Sequence, residues 1–134
     1  MIDEFKGYYS FLSNMYVLPS GKSVEHYFQA SKSATLEDWN YVIGATTPYD
    51  ARLRGRSITA RKDWLKVRDE FMLDEVRSKF YIFSELKQKL LDTKDELLVE
   101  GNTWGDTYWG VCNRKGYGMN VLGKMLMQVR EELR

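Results

Sequence analysis

Five of the ten glycines in this chain of 134 residues fall between Gly101 and Gly118, interleaved with Trp104, Tyr108, Trp109 and Tyr117. Glycine reaches backbone angles closed to other residues and weakens helices, so this stretch predicts a shaped loop region around a short strand at Tyr108 to Val111. Regular structure must therefore lie before and after it. After it, Leu122, Met125, Leu126, Val129 and Leu133 follow the i, i+3, i+4, i+7, i+11 spacing of one helical face.

Before it, local start signals mark several helices. Ser23 is placed to cap a helix from Val24 to about Ser33. Thr35 and Asp38, spaced like a capping box, open a second that ends near Gly44. Thr47-Pro48 starts a short basic helix through Leu53, with proline where its missing N–H is harmless. Asp63 opens a long helix to about Tyr81 that carries Trp64, Val67 and Phe71 on one face and Met72, Val76 and Phe80 on its neighbour. Ser84 caps another, with Leu86, Leu90 and Leu91 inward, before a break at residues 92–95. Leu97-Leu98-Val99 reads as a strand, and residues 4–18 read as short extended pieces with a loop around Ser13-Asn14. The class is mainly α with a small β element, in a single domain over residues 1–134.

Twenty Lys and Arg against nineteen Asp and Glu leave a net charge of +1, which argues against a general polyanion binder or a polybasic membrane anchor. No apolar run approaches the roughly 20 residues of a membrane-spanning helix, and the charged start does not resemble a signal peptide. Cys112 and His26 stand alone, which forbids an internal disulfide, removes most metal cages and points to the reducing cytoplasm. Nineteen aromatic residues either fill the core or leave some rings to stack on a ligand.

Glu25, Gln29 and Lys32 stand at i, i+4 and i+7, so three polar groups share one stripe beside apolar Val24, Tyr27 and Phe28. That is either a solvated face or the wall of a cleft. Glu25 lies in the first helical turn, where the macrodipole favours a carboxylate, which suits a charge stabiliser or base. His26 is either a hydrogen-bonded structural residue or a substrate contact, and Cys112 reads as a small buried group. The segment from Arg52 to Arg68 is strongly basic, and Arg56, after Gly55, is its candidate phosphate ligand. In the glycine-rich region, Asp106 stands among Trp104, Tyr108 and Trp109, either anchoring the loop or working beside a stacked base.

Several strings occur together: Phe11-Leu12-Ser13-Asn14, Ser23-Val24-Glu25-His26-Tyr27-Phe28-Gln29-Ala30-Ser31-Lys32, Gly55-Arg56, Arg61-Lys62-Asp63-Trp64, Asp106-Thr107-Tyr108-Trp109-Gly110 and residues 120–130. In this order, and across nearly the whole chain, they resemble the NADAR family, also called YbiA-like. The resemblance implies a mainly α YbiA-like fold and an N-glycosidase that cleaves the bond between a ribose C1 and a base nitrogen. It implies catalytic positions at Glu25, Lys32, Asp106 and Trp109, with Asn14 and Gln29 nearby by motif; His26, Arg56, Tyr108 and Asn120 complete the candidate substrate contacts. Neither metal nor cofactor is implied. The partner is ADP-ribosylated nucleic acid, with guanine as the modified base, or a small phosphorylated ribosyl compound such as a phosphoribosyl-amino-pyrimidine intermediate of riboflavin synthesis. A non-catalytic ADP-ribose or nucleotide-binding module is the alternative from another class. The short link from Arg56 to Arg61 and the pair Trp104-Gly105 depart from the family pattern.

Overall fold

A computed structural model describes every residue from 1 to 134 and is mainly helical with one small sheet. Its helices are α1 (Val24–Ser31), α2 (Leu36–Ile43), α3 (Pro48–Ser57), α4 (Trp64–Ile82), α5 (Ser84–Asp92) and α6 (Val121–Leu133). Two strands, β1 (Gly101–Asn102) and β2 (Val111–Cys112), pair in parallel with Gly101 opposite Val111 and Asn102 opposite Cys112. No helix is long and apolar enough to cross a membrane. The chain divides into two compact units, one of residues 14–75 and one of residues 1–13 and 76–134.

In the unit of residues 14–75, α1, α2 and α3 start where expected. The side chains of Ser23, Thr35 and Thr47 accept from the amides of His26, Asp38 and Asp50, three residues on in each case. These bonds satisfy amides that have no partner inside the helix. The three helices pack on one another around buried Ala30, Val42, Ala45 and Ala51, with Ile43 and Ile58 alongside. Small residues at these positions let the helices approach closely. Helix α3 runs past Leu53 to Ser57, where the Ser57 hydroxyl donates to the Arg54 carbonyl. The segment after it turns back along the end of α1. Ser33 and Ala60 form an antiparallel bridge, and the Arg61 amide donates to the Lys32 carbonyl at 2.8 Å.

In the other unit, four expectations are corrected. Residues 7–12 form a 3-10 helix rather than extended pieces. Phe11 and Leu12 are both buried, whereas adjacent strand residues would point to opposite faces. Leu98 makes only a single bridge, to Ile2, because the next amide on that side, that of Gly101, donates back to the Val99 carbonyl at 2.9 Å and turns the chain away. The strand placed at Tyr108 to Val111 begins only at Val111. The carbonyls of Tyr108, Trp109 and Gly110 accept instead from the amides of Val121, Leu122 and Asn120 at the start of α6. Ser84 is the first residue of α5 rather than its cap, a position Phe83 holds without a side-chain bond.

Glycine at 110 is demanded by space. A Cβ there would stand 2.0 Å from the Glu100 carbonyl oxygen. This backbone approach brings residues 100 and 110 close enough for β2 to pair with β1, which accounts for part of the glycine concentration. Cys112 is buried, as expected.

Candidate functional site

Helix α1 orders its polar stripe from the first turn. The Glu25 amide donates to the Asn14 carbonyl at 3.0 Å, so the loop at Asn14 seats the start of the helix. Asn14 itself is half-buried, and its amide nitrogen lies 3.4 Å from the Met72 sulfur. Glu25 is only 5% exposed although it carries a carboxylate. Its Oε1 accepts from Gln29 Nε2 at 2.9 Å and from Arg52 Nε at 3.1 Å. A buried carboxylate without such donors would be strongly penalised. Both donors fall on one oxygen.

One helical turn beyond Arg52 stands Gly55, whose carbonyl accepts from Lys32 Nζ at 2.9 Å. A Cβ at Gly55 would lie 2.1 Å from Gln29 Oε1 and 3.0 Å from Gln29 Cβ. The bare backbone of α3 therefore admits the Gln29 side chain and holds Lys32. Glu25, Gln29 and Lys32 form one cluster braced by a single turn of α3.

Arg52 and Gly55 were missed as site residues by sequence reasoning, although the signal was present. A carboxylate on the core edge of a helix needs a cation, and Arg52 and Gly55 share a face of the only arginine-rich helix. The basic segment does not act as one patch. Arg54 donates to the Tyr41 carbonyl and lies over that ring, while Arg61 forms a fork on Asp63 and lies over Phe71. Arg56 is exposed on the last turn of α3.

The second group of expected site residues lies in the glycine-rich region. Asp106 Oδ1 accepts from the amides of Tyr108 and Trp109 at 3.1 and 3.0 Å. Asn102 braces the loop from behind, its Oδ1 accepting from the Asp106 amide and its Nδ2 donating to the carbonyls of Asp106 and Val111. Nothing in the spacing marked Asn102, because its partners are backbone groups that converge only after folding. The rings of Tyr108 and Trp109 are half-buried and meet edge to face at 4.9 Å.

Two residues expected to bind substrate are committed to the fold instead. His26 is fully buried, with Nε2 donating to the Ala45 carbonyl at 2.9 Å and Nδ1 placed 2.8 Å from the Ser23 hydroxyl. Since a carbonyl only accepts, Nε2 carries the proton and the hydroxyl donates to Nδ1. Neither ring nitrogen is left for a ligand. Asn120 is 8% exposed, donates through Nδ2 to the Leu98 carbonyl and accepts at Oδ1 from the Glu100 amide. Its left-handed backbone, φ 52, explains why a residue that tolerates this region stands there. No three His, Cys, Asp or Glu side chains converge as a metal ion would require.

The protein is mainly helical, with a buried, hydrogen-bonded carboxylate and a lysine two turns along from it on one face. Residues 6–134 match the NADAR domain, and the chain belongs to that family. It is 42% identical over 117 residues to an N-glycosidase of Nostoc punctiforme, covering 84% of this chain and 74% of the relative. It is 39% identical over 111 residues to the N-glycosidase YbiA of Escherichia coli, covering 81% of this chain and 68% of the relative. The NMR structure of the E. coli protein YbiA superposes with a TM-score of 0.84 at 33% identity, over 99% of this chain and 86% of that one. A riboflavin biosynthesis protein of Vibrio vulnificus is 37% identical over 133 residues, which is 93% of this chain and 36% of that protein.

Proposed function

We propose that this protein is an N-glycosidase that hydrolyses the ribose C1–N bond of a ribosylated base, with ADP-ribosylated guanine in nucleic acid as its substrate. The observation that carries the reading is the Glu25 carboxylate, shielded from water and held through one oxygen. Breaking a C1–N bond develops oxocarbenium character on the ribose, which a carboxylate beside the ring stabilises. Burial strengthens that interaction, because little water competes for the charge.

Lys32 supplies an amine on the same helical face. With its proton removed, it would attack C1 as the C1–N bond to the base breaks and the base leaves with a proton from Asp106. Breaking of the ring C1–O bond then gives a Schiff base with the opened sugar, which water hydrolyses to free the lysine amine and the ribose. The alternative is direct attack by water assisted by Glu25. Asp106 and Trp109 keep the roles implied by the family resemblance, proton handling and stacking, and Arg56 contacts phosphate.

A small riboflavin-pathway substrate is the second reading, favoured by the likeness to the Vibrio vulnificus riboflavin biosynthesis protein. Incubation with guanine-ADP-ribosylated oligonucleotide and, separately, with phosphoribosyl-amino-pyrimidines, read by mass spectrometry, decides between them. Release from the oligonucleotide supports the first reading and release only from the pyrimidines supports the second. Release from neither removes the enzyme reading in favour of a binding module. Glu25→Gln is expected to lower turnover by about 10²-fold or more with the helical circular dichroism unchanged. Borohydride trapping during turnover tests Lys32: an adduct supports the Schiff base, and its absence supports water attack.

A further inference from the structure

We propose that Arg52 is a positioning residue for the Glu25 carboxylate: it clamps Oε1 so that Oε2 is the oxygen presented for chemistry. The inference rests on the glycosidase reading of Glu25 and adds a residue and a division of labour between the two oxygens.

Three observations carry it. First, the two side-chain donors to Glu25, Gln29 Nε2 and Arg52 Nε, converge on Oε1. A carboxylate gripped through a single oxygen from two directions cannot rotate freely, so its second oxygen is aimed. Second, the contrast in exposure is large, 6% for the Glu25 side chain and 30% for that of Arg52. The carboxylate is desolvated while the guanidinium reaches it from the edge, so a cationic donor stands in for the water it has lost. Third, the guanidinium is itself oriented, since its Nη2 lies 3.4 Å from the Met15 sulfur while Nε points at Glu25. A planar fork used in two directions is only partly replaced by the point charge of a lysine ammonium.

The rival role for Arg52 is direct contact with a substrate phosphate. The two roles separate kinetically. An interaction that acts by holding a group effective only in the transition state lowers kcat, whereas loss of a substrate contact raises KM. On whichever ribosylated substrate the wild type cleaves, Arg52→Gln is expected to lower kcat at least tenfold with KM changed less than about twofold, and Arg52→Lys to recover part of the loss. A raised KM with kcat unchanged overturns the proposal in favour of phosphate contact. Unchanged kinetics, or a lysine variant no better than the glutamine one, also overturns it.

The pair is read independently of turnover by a double-mutant cycle of Arg52→Gln and Glu25→Gln in urea unfolding. Coupling of at least about fivefold in the unfolding constant is expected. Its absence overturns the clamp even if the enzyme is active. A wild type inactive on every ribosylated substrate, with the coupling present, overturns the glycosidase reading and leaves the clamp standing.

Discussion

Lys79 is 3% exposed, and its Nζ donates to the Ser13 carbonyl at 2.9 Å while lying 5.2 Å from the centre of the Phe80 ring. Burial pushes its pKa down from 10.5 to about 7. The sign of the consequence follows from proton counting. Between these two values the unfolded chain holds a proton on Lys79 that the folded chain has lost, so unfolding takes up a proton and stability rises with pH. At pH 7 the buried amine costs about 4 kcal/mol relative to a lysine that titrates alike in both states, and by pH 10 the cost has fallen to about 1 kcal/mol. Water entry around the ammonium would reduce these figures, which makes them upper bounds.

The perturbation is Lys79→Met, which keeps the length of the side chain and removes the titration. It also removes the donor to Ser13, a loss of about 1 to 3 kcal/mol that does not vary with pH. The two effects therefore separate by slope. Urea unfolding of both proteins at intervals from pH 6 to 10 is expected to show the wild type gaining up to about 3 kcal/mol on the variant between pH 7 and 10, with little difference in slope below pH 7. All other side chains are common to both proteins, so their contributions cancel. Parallel curves within about 0.5 kcal/mol would refute the depressed pKa, and with it the description of Lys79 as an amine shielded from water.

Gly55→Ala would raise stability by about 1 kcal/mol on helix propensity alone, yet its Cβ meets Gln29, so a net loss of about 1 to 2 kcal/mol is expected in urea unfolding. A gain close to the propensity value would show that Gln29 moves aside freely. Ser23→Ala removes both the cap on the His26 amide and the donor to its Nδ1, and a loss of about 2 kcal/mol in the same assay is expected. For Asn120 the expected stability order is Asn, then Gly, then Ala, because glycine loses only the two side-chain bonds while alanine also pays about 1 kcal/mol for the left-handed backbone. An alanine variant as stable as the glycine one would exclude that strain.

The helix starts at Ser23, Thr35 and Thr47 and the amphipathic α6 were legible in the sequence because each depends on residues three or four positions apart. So was the common face of Glu25, Gln29 and Lys32, which follows from helical periodicity. The elements misread are those whose backbone partners come from afar. Residues 108–110 turn their carbonyls to the start of α6 rather than into a ladder, and Leu98 bridges Ile2 near the other end of the chain, a contact closed off where the Gly101 amide donates to the Val99 carbonyl. Aromatic content at residues 7–12 suggested extended chain, but the joint burial of Phe11 and Leu12 required a helical turn.

The sequence by itself thus determined where α1 to α3 begin, which residues line the polar face of α1 and the family to which those strings belong. Tertiary structure alone decided which of those polar residues are held and by what. The glycine at 55 brings the α3 backbone against Gln29, which in turn sets Lys32 on a carbonyl and Arg52 on a carboxylate. His26 and Asn120 carry the same polar atoms as any ligand-binding residue, and only the burial of those atoms against Ala45, Leu98 and Glu100 assigns them to the fold. Spacing along a chain fixes direction within one helix, while desolvation and partner choice are properties of the packed whole.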